Sequence, residues 1–263
     1  MEEKPVLYVV KENVAYIDLN RPSVLNSFNS EMRASLLSCL KQAASDRLVR
    51  AVAISGKGRA FSAGQDVKEI MDQQSGRGFD LAGTLRNEYN PIIREIVQLP
   101  KPVVAGVNGV AAGAGFSLAM ACDIRMASKS ASFLQAFSKV GLVPDSGSSF
   151  FLPRSIGYAR AAEMVFNATQ IDAQKALELG LVNSVVEDSE LRSTLEATCV
   201  RLAHGPTKAY SLAKKALHRG MYASLDESLE TEAVLQGQAA FTEDFLEGVR
   251  AFVEKRKPEF KGK

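Results

Sequence analysis

The chain has no tryptophan, only two histidines and only three cysteines in 263 residues. Each scarcity removes a class of chemistry. His204 and His218 both lie in the C-terminal quarter, away from every glycine-rich loop. A His-based triad or a His/Cys metal site therefore lacks material, and no metal is expected. Cys39, Cys122 and Cys199 match no metal-ligand spacing and stand in apolar, helix-patterned surroundings. They read as buried reduced thiols, which implies a reducing compartment. No apolar run approaches the length of a membrane span, and the opening MEEKPVLYVV lacks the order of a signal peptide. The cytoplasm is the default expectation. Charge of one sign is scarce too: 32 Lys and Arg against 30 Asp and Glu leave +2. With no basic stripe interleaved with aromatics, nucleic acid is not an expected partner.

What is present is ordinary globular material. A hydrophobic content of 46% beside 24% charged residues suits one large domain, or a domain with an appendage. Residues 6–10 and 14–19 flank Glu12-Asn13 as a hairpin. Asn29 or Ser30 can cap a helix reaching about Ala44, with Met32, Leu36, Leu37 and Leu40 at helical spacing. Residues 49–55 read as a buried strand. Residues 72–83 form a polar, glycine-containing stretch with the look of a lid-like loop. Residues 85–99 are helical in pattern, with a break risk at Pro91. Apolar runs at 103–107 and 124–127 bracket a Gly/Ala turn, and 182–186 is a further short strand. From 189 onward the pattern is helical, with Pro206 suited to the first position of a helix. Strands alternating with helices, followed by helix alone, indicate an α/β core over 1–190 and a helical region over 191–263.

Three stretches carry chemistry. GRAFSAGQDV, residues 58–67, is a glycine loop entering a helix. It can present backbone N–H groups to an anion, or be a simple turn capped by Asp66. NGVAAGAG, residues 108–115, joins a strand to a helix. Its glycine spacing does not match a dinucleotide fingerprint, and no acid follows at the ribose distance, so NAD is set aside. Tight packing and N–H presentation both remain open for it. Asp145, in VPDSGSS, is either a helix cap or a lone acid without a histidine partner. Together, two N–H loops and one carboxylate suit an oxyanion hole with a proton carrier, the equipment for enolate chemistry next to a thioester.

The order RP-x-x-LN-x-F (21–28), AFSAGQD (60–66), KPVVAGVNGVAAGAGFSLAMACDIRMAS (101–128) and F-x-x-x-F-x-K-x-GLVPDSG (133–147) resembles the crotonase, or enoyl-CoA hydratase/isomerase, superfamily. Within it, LNSFN, YNP at 89–91, AFSKVGLVPD and the ending KRKPEFKGK resemble the 1,2-epoxyphenylacetyl-CoA isomerase subgroup of phenylacetate degradation. The resemblance implies a crotonase-like ββα spiral with C-terminal helices that serve assembly into trimers or dimers of trimers. It also implies an acyl-CoA thioester substrate, so that coenzyme A is part of the substrate and no separate cofactor is needed. By the same resemblance the oxyanion donors are the N–H groups of Gln65 and Ala114, and coenzyme A follows Val24, Ala63, Gln65, Asp66 and Val67. The two glutamates of the hydratases fall at Ser117 and Phe137 here. Asp145 stands at the position used by related isomerases. DSGSS in place of a Gly-Gly pair after the acid is a departure, and Ser146 or Ser148 could bond within the pocket.

These absences favour an acyl-CoA isomerase with Asp145 as the proton carrier over an enoyl-CoA hydratase. A dehalogenase would need a histidine to activate water, and a binding-only member would need a basic surface.

Overall fold

The computed structural model describes residues 4–74 and 80–263. The centre of the lid-like loop expected at 72–83, residues 75–79, lies outside the described residues.

The chain opens with a hairpin, β1 (Val6–Lys11) and β2 (Val14–Leu19), paired antiparallel. Glu12 and Asn13 both take positive φ, 51° and 61°, as a two-residue turn must to follow the strands' right-handed twist. Helix α1 (Ser30–Ser45) starts where the Asn29 side chain accepts the N–H of Met32. Its buried positions Met32, Leu36, Leu40 and Ala43 keep the three-and-four spacing of one face.

A repeated strand–strand–helix path follows: β3 (Ala51–Gly56), β4 (Ala60–Ser62) and α2 (Val67–Gln74), then α3 (Leu81–Thr84) and α4 (Asn90–Gln98). The next turn is β5 (Val103–Val107), β6 (Val110–Ala112) and α5 (Ala114–Ala121). The third is β7 (Ile124–Ser128), β8 (Ser132–Leu134), α6 (Ser148–Ile156) and α7 (Tyr158–Asn167). The path closes with β9 (Gln170–Asp172), α8 (Ala173–Glu178) and β10 (Ser184–Val186). The first strand of each turn joins a six-stranded sheet of order β1-β2-β3-β5-β7-β10, parallel from β2 onward. The second strand joins a four-stranded sheet of order β4-β6-β8-β9. This is a ββα spiral. β5 is buried along its whole length, as a central parallel strand covered on both faces must be.

Pro91 does not break its helix. Residues Leu85–Tyr89 form a π turn, in which the N–H of Asn90 reaches back to Leu85 O. Proline has no N–H to give to Asn87 O, and its ring crowds that carbonyl. The wider turn accommodates both defects.

The main core lies between the sheets and under α1, α4 and α5. A second apolar cluster covers the outer face of the larger sheet, where Leu191, Leu195, Cys199 and Ala203 of α9 (Leu191–Ala203) meet Val14, Ala53 and Val104. Helix α9 thus packs as part of the core, although the sequence division places it in the helical region. Pro206 also differs from expectation. With ψ at 84° it precedes α10 (Thr207–Gly220) as its cap rather than starting the helix.

α10, α11 (Leu225–Ala240) and α12 (Glu243–Glu254) carry apolar side chains outward. Phe241 is 94% exposed and Phe252 85%, with Leu217, Leu225 and Val253 exposed beside them. Among the described residues, no helix is long and apolar enough to cross a membrane.

Candidate active site

The first glycine loop is bolted to the chain before α1. Phe28 N–H donates to Gly64 O at 2.7 Å, and Asp66 N–H donates to Phe28 O at 3.0 Å, making an isolated parallel bridge between Phe28 and Gln65. Within a planar trans peptide, C=O and N–H point in opposite directions. With Gly64 O turned to Phe28, the N–H of Gln65 faces away from it. Gly64 has φ of +90°, and a Cβ there would fall 2.7 Å from Ala112 O and 3.3 Å from Ala114 N. Only glycine allows the SAGQD loop to lie this close to the start of α5.

The second loop turns at Gly113, φ +50°, whose N–H donates to Leu134 O at 2.9 Å. Ala114 then opens α5, a helix buried along its full length. Among the described residues, neither Gln65 N–H nor Ala114 N–H donates to a protein acceptor. A buried or half-buried N–H without a partner is uncommon, because desolvating it unpaired is costly.

Asp145 is not a helix cap. Gly147 takes the cap position of α6, and Asp145 contributes only its carbonyl, which accepts Ser148 N–H at 2.9 Å. Its carboxylate accepts one hydrogen bond, from Ser146 Oγ at 2.9 Å. Ser146 is buried and left-handed, φ +52°, a conformation that costs a non-glycine residue about 1–2 kcal/mol. Burial pushes the Asp145 carboxyl up to about 6, against the opposing pull of the Ser146 hydroxyl. Ser148 Oγ instead accepts from Gln135 Nε2 at 2.6 Å.

Ser117 lies against this acid's backbone, and Phe137 lies against the second loop. Ser117 Oγ stands 3.1 Å from both Gly113 O and Asp145 O, so it ties the acid's backbone to the second loop. The Phe137 ring lies about where a Cβ on Gly113 would come into contact, at 3.8 Å. A small enclosed apolar cavity links Ala114 to Ser146, walled by Phe28, Tyr89, Ile92 and Leu118.

The other expected positions fall along one edge. Val24 ends a short 3-10 turn, Pro22–Val24, and Ala63 N–H donates to Leu25 O at 2.9 Å, which holds the two loops side by side. Val67 is 62% exposed there. Asp66 is engaged structurally: it pairs with Arg21 at 2.9 Å and accepts the N–H of Lys68 at 3.1 Å. Burial raises its carboxyl, but these bonds outweigh burial and hold it below the usual carboxylate range. The capping role considered for Asp66 is therefore what its side chain performs. Among the described residues there is no cluster of His, Cys, Asp and Glu able to hold a metal.

One feature escaped sequence reasoning. Arg33 is 1% exposed. It donates to both oxygens of Glu69 at 2.8 and 3.2 Å, to Glu88 at 2.8 Å and to Phe28 O at 3.1 Å. Its partners lie 36 and 55 residues further on, beyond the reach of local periodicity. Gln65 joins this group through Nε2, which donates to Glu69 at 2.8 Å, and through Oε1, which accepts from the Tyr89 hydroxyl.

The family model described as Enoyl-CoA hydratase/isomerase matches residues 10–263. A 1,2-epoxyphenylacetyl-CoA isomerase from Escherichia coli is 43% identical over 258 residues, covering 98% of each chain. A short-chain-enoyl-CoA hydratase from Clostridium acetobutylicum is 37% identical, again covering 98% of each. A crystal structure of an enoyl-CoA hydratase from Bacillus anthracis superposes with a TM-score of 0.91 at 33% identity, over 98% of this chain and 100% of that one. A family-model match over nearly the whole chain, on a spiral of paired strands, places this protein in the enoyl-CoA hydratase/isomerase family.

Proposed function

We infer that this family member is an acyl-CoA isomerase that works by proton transfer through a thioester enolate. The substrate class is an enoyl-CoA or a ring-epoxidised phenylacetyl-CoA. The observation that carries the reading is Asp145: a half-buried carboxylate with a raised pKa, beside two loops whose N–H groups at Gln65 and Ala114 have no protein acceptor among the described residues.

The thioester oxygen accepts from both N–H groups. Removing a proton next to the carbonyl moves charge onto that oxygen, where fixed donors gain most. Asp145 takes the proton as a carboxylate and returns it at another carbon, so one group serves as base and then acid. A pKa of about 6 leaves it roughly nine-tenths ionised at pH 7 and more basic than an ordinary aspartate. Coenzyme A runs along the Val24, Ala63, Gln65, Asp66 and Val67 edge as part of the substrate. Ser117 and Phe137 supply no second carboxylate, and water addition needs a group to activate water besides the one that handles the α-proton. The second reading is a hydratase working with Asp145 alone, and the hydratase-named relative favours it.

Replacing Asp145 with Asn and following α-proton exchange in deuterated water, with isomerisation of enoyl-CoA thioesters, tests the reading. Loss of both by a factor of on the order of 10²–10⁴ is expected, and unchanged turnover would overturn it. Efficient hydration of crotonyl-CoA by the wild-type chain would shift the assignment to the second reading.

The exposed apolar faces of α10, α11 and α12 are of the kind that self-association buries. A homotrimer, or a hexamer made from two trimers, is the assembly we assign to them.

A further inference from the structure

The Gln65 side chain is held at both ends, and its orientation is fixed by chemistry. Glu69 can only accept and Arg33 can only donate, so Nε2 must face Glu69 and Oε1 must face Arg33 Nη1, 3.4 Å away. The Tyr89 hydroxyl is then the donor to Oε1. Burial raises the Tyr89 pKa, so the hydroxyl keeps its proton. The ring is fixed separately. It meets Phe28 edge-on at 6.0 Å, and the Arg33 guanidinium sits 5.0 Å from its centroid. The π turn presents Tyr89 at this point, as its last residue.

Two torsions aim the Gln65 N–H: ψ of Gly64 and φ of Gln65. Gly64 has no side chain of its own to restrict its torsions; its N–H donates to Ser62 Oγ at 3.2 Å and its carbonyl accepts from Phe28 N–H at 2.7 Å, which leaves φ of Gln65 to be held from the Gln65 side. A side chain locked at its far end restrains φ of its own residue. We propose that Tyr89 is a positioning residue of the oxyanion hole, whose hydroxyl locks the Gln65 side chain against the Arg33–Glu69 pair and so holds the Gln65 N–H on the thioester oxygen. This rests on the oxyanion reading of Gln65 given above.

The test uses the full-length chain and butyryl-CoA carrying ¹³C at the thioester carbonyl, a saturated probe that binds without isomerising. Infrared difference spectra report how strongly the bound carbonyl is polarised. The wild-type chain is expected to move the stretch to lower wavenumber. Tyr89→Phe keeps the ring contacts and removes only the hydroxyl. It should lose much of that displacement and lower kcat on an enoyl-CoA by on the order of tenfold, with KM nearly constant. Gln65→Ala keeps the backbone donor and removes the lock. It should reproduce the defect, and the double variant should be no worse than either single one. A Tyr89→Phe carbonyl frequency equal to wild type, or additive losses in the double variant, would overturn the positioning role while leaving the oxyanion reading intact. A wild-type spectrum with no displacement would remove both.

Discussion

Asp145 sits in a place that suits chemistry better than stability. Its folded-state pKa of about 6 lies above the ordinary 3.8, so between those values the folded chain binds a proton that the unfolded chain has released. Stability therefore falls as pH rises from about 4 to about 6, and the deficit of up to about 3 kcal/mol persists above that window. Asp145→Asn should accordingly be more stable than wild type at pH 8, by about 2 kcal/mol, and the gain should vanish below pH 4. Chemical denaturation at the two pH values measures it, and equal stability at pH 8 would contradict the burial argument. The activity of the wild-type chain should fall on the acid side with a midpoint near pH 6, because the base must be ionised. Ser146 adjusts that midpoint. Ser146→Gly removes the hydroxyl that lowers the Asp145 pKa and relieves the left-handed strain at the same position. An acid limb at higher pH is expected, read from a pH–rate profile, while in a melting curve the relieved strain and the lost hydrogen bond oppose each other.

At the scale of elements, the closeness of the two loops is the constraint. Gly64→Ala would put a methyl 2.7 Å from Ala112 O at a φ of +90°. A cost of about 2–4 kcal/mol is expected, with a larger loss of kcat than of thioester binding. Melting temperature and single-turnover kinetics separate the two. Much of this element structure is legible in the sequence. The hairpin declares itself at Glu12-Asn13, the helix start at Asn29, and the central strand in the unbroken apolar run of β5. The four-stranded sheet is not legible. Each of its strands is three residues long, too short for alternation to show. The π turn is half legible: Pro91 signals a defect, but whether a helix breaks or widens depends on the packing of Tyr89 and Ile92. At the site, the motif positions Gln65, Ala114 and Asp145 are brought to one place in the fold. The Arg33 network stayed hidden because a buried arginine among Met32, Leu36 and Leu40 looks like a solvent-facing residue until its distant carboxylates are known.

For the whole molecule, the outer helices decide whether the chain works alone. Phe241 and Phe252 stand almost fully in water on α11's end and α12, at a cost that a partner's surface would remove. Replacing both with Lys should shift the assembly toward monomer in light scattering and leave the α/β core folded by circular dichroism. An unchanged mass would show that these faces are not the contact. The core should tolerate the change, since its two apolar clusters contain neither residue.

The bridge between Phe28 and Gln65 has a practical consequence for anyone surveying this protein by mutation. The donor of the SAGQD loop is a main-chain group, and one restraint on its direction is a bond between two other main-chain groups, Phe28 N–H and Gly64 O. No exchange of one natural side chain for another deletes it, with proline excepted for wrecking the loop as well. A library of amino-acid substitutions therefore reads the packing at buried Ala114 and the side-chain lock at Gln65, and never the peptide N–H groups themselves. Swapping the amide at either position for an ester, which replaces N–H by oxygen and leaves the side chain alone, makes the deletion that the genetic code cannot write.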